Sequence, residues 1–331
     1  MADIILLIVS LFIILAGAEF FTNSVEWLGR KLNLGDGAVG SVFAAVGTAM
    51  PETLVPIIAI LGGHGRAGHD VGIGAILGAP FMLATLAMFV TGIAAIIKHR
   101  KNSRMNVDPE VMSRDMRYFL MVFTIAIVAA FLPEYWAKIA VAVFLAFAYA
   151  FYVYKTIKSS VGQHYDKEDI KNLYFYKKSK NPPISLIIVQ TAAALAIIIF
   201  GAQMFVERMQ SVALAMGVAV LVLSLIITPI ATELPEKFNS IIWVSRGKDT
   251  LALGNITGAM VFQSSILPAI GMLMTDWKLE PLPLFSAVIT LAAVTYHYFG
   301  LKGKHGLKIS HLLISGLFYT AFFVVAVTGI L

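Results

Sequence analysis

Long apolar runs separated by short polar stretches dominate this chain. A run of about 18 or more apolar residues can span a bilayer as a helix. The runs are continuous and do not alternate with polar positions, so they predict helices rather than barrel strands. We count ten such segments, at residues 4–21, 38–61, 71–97, 118–131, 136–154, 184–206, 212–244, 250–274, 282–299 and 309–331. The seventh contains Pro229 and Pro235 and is not expected to be one straight helix.

The composition agrees with this pattern. Hydrophobic residues make up 59% of the chain and charged residues only 13%, whereas a soluble domain carries about 25% charged residues. Cysteine is absent, which excludes disulfides and thiolate metal sites. The net charge of +6 is spread over loops between apolar runs, so it does not indicate nucleic-acid binding. We therefore predict an all-α, multi-pass membrane protein with ten transmembrane helices.

The distribution of Lys and Arg predicts the orientation, because cytoplasmic loops are enriched in these residues. With the N-terminus outside, 20 of the 25 lie in inside loops. The outside loops hold four, namely Arg66, Lys138, Arg208 and Lys278, and Lys237 falls within a span. We expect a cell-membrane protein with an extracellular N-terminus. The basic stretch at 155–180 is expected to be a solvated cytoplasmic linker rather than a lipid-binding or regulatory site.

The two halves of the chain resemble each other. Two motifs recur 184 positions later and a third recurs 180 positions later, in the same order. The matched pairs are 17–21 with 201–205, 47–52 with 231–236, and 74–79 with 254–259. The repeat divides the chain into a first five-helix unit (1–157), the linker (158–183) and a second five-helix unit (184–331). Because five is odd, the second unit must enter the membrane inverted, as in many secondary transporters.

Two glutamates occupy equivalent positions near mid-membrane in the two halves. Glu52 lies well inside the second segment, and Glu236 is its counterpart in the seventh. An ionisable group at that depth costs about 3 kcal/mol or more and usually lines a polar path. The alternative is a pair of protonated glutamates that bond between helices. The pattern favours an ion site at the interface between the repeats.

Each glutamate follows a proline that frees a backbone carbonyl. Pro51 has no N–H for the carbonyl of Gly47, and Pro235 has none for that of Ala231. A freed carbonyl in a membrane must find another partner, and a cation can serve. The hydroxyls of Thr48 and Thr232 add two more oxygen atoms. Such oxygen ligands are those that calcium and other hard cations prefer.

Glu233 breaks the symmetry, since its counterpart is Ala49. It lies three residues before Glu236 and would share a helix face with it. Two carboxylates that close repel each other, so one of them is expected to carry a proton. The alternative is that Glu233 points elsewhere or caps the broken helix. Gln263, in the eighth segment, could also face the site.

Other polar and small residues accompany these motifs. Five glycines have spacings that allow close helix approach beside the site: Gly72, Gly74, Gly78, Gly254 and Gly258. Glu19 and Gln203 match each other across the repeat. They are either pathway residues or partners in simple interhelical hydrogen bonds.

The motifs at 47–52 and 232–236 resemble the paired repeats of the sodium/calcium exchanger family, which typically read Gly-Thr-Ser-Leu-Pro-Glu. The resemblance covers nearly the whole chain. It implies two inverted five-helix halves around four central ion sites, and exchange of sodium for calcium by alternating access. It also implies roles in ion binding for Glu52, Glu236, Thr48, Thr232 and the carbonyls of Gly47 and Ala231.

Several positions depart from the family pattern. The serine after each threonine is Ala49 in one half and Glu233 in the other. Both serines of the following Gly-Ser pairs are alanine, and the Asn or Asp four residues later is Leu83 in one half and Gln263 in the other. Side-chain ligands for sodium are therefore missing, and the identity of the exchanged ions stays open.

We expect a secondary antiporter that exchanges Na⁺ for Ca²⁺, with proton-coupled exchange of Ca²⁺ or another cation as the alternative. A membrane-embedded enzyme is disfavoured because the sequence contains no recognisable catalytic motif. The expected partners are small cations and the lipid bilayer. We expect no cofactor besides the transported ions, and a chain that functions as a monomer.

Overall fold

The computed structural model describes residues 2–31, 50–62, 65–98, 104–160, 171–176, 181–301 and 306–329. This part of the chain is helical apart from short turns and one small ribbon. Its helices are α1 (Ala2–Lys31), α2 (Met50–Leu61), α3 (Gly65–Met82), α4 (Met88–Lys98), α5 (Pro109–Ala129), α6 (Tyr135–Ser160), α7 (Ile184–Met216), α8 (Val220–Thr232), α9 (Leu234–Ser245), α10 (Asp249–Met274), α11 (Pro281–Gly300) and α12 (Ile309–Thr328). A π-helical turn, Leu83–Ala87, joins α3 to α4. Two short strands, β1 (Arg104–Met105) and β2 (Leu307–Lys308), pair antiparallel.

Seven of the described segments are long and apolar enough to cross a membrane, judged by length and composition: Ala2–Val25, Gly65–Lys98, Tyr135–Thr156, Ile184–Met216, Asp249–Met274, Pro281–Gly300 and Ile309–Thr328. The predicted all-α, multi-pass membrane architecture is therefore confirmed. Helices also lie in the remaining apolar segments, but they are shorter or more polar. The count of ten spans stays a prediction.

Several helix boundaries differ from those predicted, and at α5 and α7 the reason is that charged residues have partners inside the helix. α5 begins at Pro109 rather than near residue 118, since the Asp108 side chain accepts hydrogen bonds from the first-turn N–H groups of Glu110 and Val111. α7 continues through the charged residue Arg208, whose guanidinium lies 3.0 Å from Asp3 of α1. It ends at Gly217, which adopts a left-handed conformation.

α1 and α7, which match across the repeat, cross antiparallel with reciprocal contacts. A Cβ atom added at Gly17 would lie 2.7 Å from Ile198 Cγ1, and one added at Gly201 would lie 2.9 Å from Ile14 Cγ1. Gly17 lies after Ile14 in α1, whereas its partner Ile198 lies before Gly201 in α7, so the two helices run antiparallel. The matched glycines thus allow the two backbones to approach closely.

α3 and α8 pack in parallel, again through glycines. A Cβ atom at Gly74 would lie 2.8 Å from Ser224 Cβ, and one at Gly78 would lie 2.6 Å from Pro229 Cγ. Positions on the two helices advance together, which defines the parallel direction. The predicted packing role is confirmed for Gly74 and Gly78 but is wrong for Gly254, where an added Cβ atom would meet nothing within 4 Å.

A buried aspartate connects three helices around α10. Asp115 of α5 accepts hydrogen bonds from Tyr152 Oη of α6 at 2.9 Å and from Thr257 Oγ1 of α10 at 2.9 Å. Arg114 supplies a counter-charge 3.0 Å away. The carboxylate therefore orients the helix that carries the motif at 254–259.

Part of the central linker docks onto α1 and α7. Leu173 is fully buried and packs with Trp27 and Ile187. The Trp27 indole N–H and the Asn23 amide both donate to the carbonyl of Lys171, at 3.0 and 3.1 Å. The expectation of a solvated linker therefore fails for Leu173, whereas Lys171, Asn172 and Phe175 of the same segment are exposed.

Candidate ion-binding site

The first predicted glutamate lies at the start of α2. Glu52 follows Pro51 in the first helical turn and is only 2% exposed. Proline is tolerated in a first turn because the N–H groups there have no partner within the helix. The positive end of the helix dipole also favours a carboxylate at this place. Gly47 and Thr48 precede α2 and lie outside the described residues.

The equivalent segment of the second half is interrupted, as Pro235 predicts. α8 ends at Thr232 and α9 begins at Leu234, with Pro235 in its first turn. Glu233, between the two helices, has φ −84° and ψ 3°. The interruption places the carbonyl end of one helix beside the amino end of the next, an arrangement that transporters use to bind ions.

The interruption is contacted by α10 through a polar pair. The side-chain amide of Gln263 donates to Glu233 Oε1 at 2.6 Å, and both residues are at most 1% exposed. Among the described residues, Glu233 makes no capping hydrogen bond to α9 through its side chain. The structure thus brings together two of the predicted site residues.

Hydroxyl groups line the last turns of α8. Thr232, 2% exposed, donates to the carbonyl of Thr228 at 3.1 Å. The hydroxyls of Thr228 and Ser224 lie 3.2 Å apart, and Ser224 donates to the carbonyl of Val71 on α3 at 2.9 Å. A hydroxyl that donates its proton retains lone pairs that can accept. Thr232 can therefore present an oxygen to a cation.

Comparison with known proteins identifies the family. The profile of the sodium/calcium exchanger protein family matches residues 3–158 and 186–329, which is most of the chain. The chain belongs to this family. The family consists of cation antiporters, so the enzyme alternative is excluded. The resemblance carried by the two Pro-Glu motifs is confirmed.

Individual relatives of this exchanger are distant but align over most of their length. Inner membrane protein YrbG of Escherichia coli K12 is 24% identical over 278 residues, 84% of this chain and 81% of the relative. The solved H⁺/Ca²⁺ exchanger CAX superposes with a TM-score of 0.73 at 14% identity, covering 98% of this chain and 87% of that one. The sodium-calcium exchanger NCX_Mj, soaked with Na⁺ and Sr²⁺, gives a TM-score of 0.60 at 20% identity, covering 99% and 98%. At these identities the two structures establish a shared fold.

A further buried charge of this exchanger, that of Lys237, lies beside the interruption. Lys237 of α9 is 7% exposed, and its ammonium lies 3.4 Å from the carbonyl oxygen of Pro229 and 3.5 Å from that of Ile230. Both carbonyls belong to the last turn of α8. A lysine inside an apolar segment was a visible signal, because intramembrane charges usually mark functional positions.

Two predicted pathway residues lie elsewhere. Glu19 of the exchanger is half exposed and accepts from Lys171 Nζ at 3.0 Å and Tyr174 Oη at 2.7 Å. Gln203 lines a shallow surface cavity of about 260 Å³ on α7, together with Glu207 and Arg208. The structure places neither residue in contact with the described residues around the interruption.

For some of the remaining predicted ligands, the structure describes the backbone but not the side chain. The backbones of Ala231 and Glu236 belong to α8 and α9, but their side chains are not among the described residues. Within the described part of the exchanger, no group of three or more His, Cys, Asp or Glu side chains is placed to hold a metal ion. In the two Pro-Glu segments, the buried carboxylates of Glu52 and Glu233 are described.

Proposed function

We propose that this chain exchanges sodium for calcium across the membrane by alternating access. The observation that carries the proposal is a pair of buried carboxylates on the elements around an interrupted helix. Glu52 is 2% exposed and Glu233 is fully buried, and α2 contacts both α8 and α10. Paired carboxylates with hydroxyl and amide oxygen atoms provide the ligands that calcium prefers.

The ligand set follows from the repeat. Glu52 and its counterpart Glu236 supply two negative charges for one divalent ion, as the buried position of Glu52 supports. The hydroxyl of Thr232 and the amide of Gln263 lie on the adjacent helices α8 and α10. The hydroxyl of Thr48 and the carbonyls of Gly47 and Ala231 complete the proposed set.

The proposed architecture is ten spans in two inverted five-helix halves, with the N-terminus outside. Alternating orientations make the first and sixth spans antiparallel and the third and seventh parallel. The contacts between α1 and α7 and between α3 and α8 have these directions, which supports the proposal. The ion site would lie between the halves, and their relative movement would expose it to each side in turn. We propose that one chain is sufficient for this cycle.

Proton coupling is the second candidate, and Glu233 favours it. This carboxylate is fully buried and has no acidic counterpart in the first half, where Ala49 is the equivalent residue. A carboxylate in a low-dielectric site can bind and release a proton during a cycle. The lost serine positions also remove ligands that sodium would use.

Flux measurements in proteoliposomes separate the two candidates. Uptake of labelled calcium would be measured under an outward sodium gradient at equal pH, and under an outward proton gradient without sodium. We expect the sodium gradient to drive uptake, and monensin, which dissipates it, to abolish uptake. Uptake driven only by the proton gradient would establish the second candidate. An absence of calcium flux under both gradients would contradict both.

A further inference from the structure

Lys237 lies at a place where transporters commonly bind a coupling cation. Its ammonium is directed to the carbonyl oxygens of Pro229 and Ile230, at 3.4 and 3.5 Å, in the last turn of the interrupted helix α8. The carbonyl end of such a helix carries partial negative charge, and half-helix ends of this kind coordinate Na⁺ in secondary transporters. A protonated lysine carries the same single positive charge.

The lysine is also anchored beside Glu233. The two residues are four positions apart, and the N–H of Lys237 bonds the carbonyl of Glu233 at 3.2 Å as α9 begins. Both side chains are buried, with exposures of 7% and 0%. The amide of Gln263 donates to Glu233 Oε1, and an ionised carboxylate is an acceptor only. A positive charge four residues away on the same helix favours the ionised form of Glu233.

The charges of the region then balance for one divalent ion. Glu52 and Glu236, the pair in the proposed site, offset the two charges of calcium. Glu233 adds a third negative charge, and Lys237 adds the matching positive charge from the same helix. A buried charge is retained at low cost only when it is paired.

We propose that the Lys237 ammonium acts as a tethered cation that occupies one monovalent-cation position of the transport site. The inference rests on the proposed antiport function. The carrier needs one fewer mobile monovalent ion than it would with an apolar residue here. Lys237 thereby sets the number of coupling ions and the charge moved in each cycle.

The test compares Lys237→Met with Lys138→Met. Lys138 is a matched control, because it is also buried, at 4% exposure, and donates to two carbonyls, those of Asp276 and Trp277, beyond the end of α10. Each variant would be titrated with sodium in calcium-flux and in thermal-unfolding measurements, with choline chloride keeping the ionic strength constant. Lys237→Met should raise the Hill coefficient for sodium by about one, since one more site is open to a mobile ion. Its Tm should also rise more steeply with sodium than that of the parent or Lys138→Met, because one more sodium ion binds the folded state.

The outcomes are distinguishable from those for the proposed function. A parent protein without any calcium flux would overturn the antiport proposal, whereas the Tm titration would still test Lys237. If Lys237→Met is poorly folded, purification in sodium chloride should recover monodisperse protein and purification in choline chloride should not. Equal sodium dependence of the parent and Lys237→Met, or misfolding regardless of sodium, would overturn the inference. Lys237→Arg keeps the charge and should behave like the parent.

Discussion

The buried carboxylates of Glu52 and Glu233 are stable in an apolar protein because each lies at a helix end. Glu52 lies in the first turn of α2, and Glu233 lies between the carbonyl end of α8 and the amino end of α9. Helix ends leave backbone groups without helical partners, so they provide the polar surroundings that a buried charge needs. The prolines that produce these ends are therefore as important to the site as the carboxylates.

Neutralising Glu52 should abolish divalent-cation transport without unfolding the protein. Glu52→Gln removes one of the two charges proposed to bind calcium, and losing one partner of a buried ionic contact costs about 3–5 kcal/mol. Calcium affinity should fall by about 100-fold or more, as measured by labelled-calcium flux and equilibrium binding. Glu236→Gln should reduce calcium affinity to a similar extent. Glu207→Gln, on the exposed face of α7, is the control and should retain parental flux. Normal flux in both site variants would refute the assignment.

A double-mutant cycle tests whether Glu233 and Lys237 compensate each other. Glu233→Gln alone leaves the buried ammonium uncompensated, so calcium affinity should decrease by about tenfold, and the further change Lys237→Met should restore most of it. The expected coupling energy is about 1–3 kcal/mol. Calcium binding and flux would be measured from acidic to alkaline pH. If Glu233 is instead a proton carrier, Glu233→Gln flattens the pH profile and Lys237→Met restores nothing.

At the scale of elements, polar contacts between helices fix the position of α10. This helix carries Gln263 to the interruption at Glu233, and six residues earlier its Thr257 bonds the buried Asp115 of α5. Tyr152 of α6 bonds the same carboxylate. Inside a bilayer, apolar side chains contact lipid as favourably as they contact another helix. Hydrogen bonds and small residues therefore determine which helix faces meet.

Removal of the Asp115 carboxylate should loosen this three-helix contact. Asp115→Ala breaks a buried charge interaction and leaves three donors without their acceptor, so we expect a loss of about 3 kcal/mol in unfolding free energy. Tyr152→Phe removes one hydrogen bond and should cost about 1 kcal/mol. Unfolding free energies of the purified variants, measured in detergent, would show which substitution destabilises the protein more. Equal stability of Asp115→Ala and Tyr152→Phe would show that the carboxylate does not organise the contact.

At the scale of the whole molecule, the relative directions of α1 and α7 support the proposed inverted arrangement of the two halves. The reciprocal contacts of Gly17 and Gly201 relate α1 to α7 by an approximate two-fold operation. The docked linker segment at 171–176 bonds residues of both helices, including Asn23 and Gln190. Hydrogen bonds from the linker segment therefore hold α1 and α7 together, in addition to the covalent chain.

The absence of cysteine makes the membrane orientation directly measurable. Single cysteines would replace four exposed residues: Met216, Lys278, Lys158 and Arg246. A membrane-impermeant maleimide should label positions 216 and 278 in intact cells, and positions 158 and 246 only after permeabilisation. The reason is the bias of Lys and Arg toward predicted inside loops. Labelling of all four positions from one side, or in the reverse pattern, would contradict the inverted ten-span arrangement.

The sequence by itself determined the class of structure. Apolar runs, the charge bias and the repeated Pro-Glu motifs are local features, and they sufficed to predict helices and an interruption at Pro235. The ion-binding role of Glu52 stays a prediction. The sodium/calcium exchanger family was also recognisable from those motifs. Helix ends were less predictable, because the pairing of Arg208 with Asp3 allows charged residues to continue a helix.

Only the tertiary structure decided which polar groups meet. Gln263 reaches Glu233 from 30 residues away, and Thr257 reaches Asp115 from 142 residues away. Lys237 was visible in the sequence, but its orientation toward the carbonyl of Pro229 depends on the angle between α8 and α9. Periodicity gives the face of a helix on which a residue lies. Distances between side chains depend on how closely helices pack, which here is set by small residues such as Gly78 and by buried hydrogen bonds.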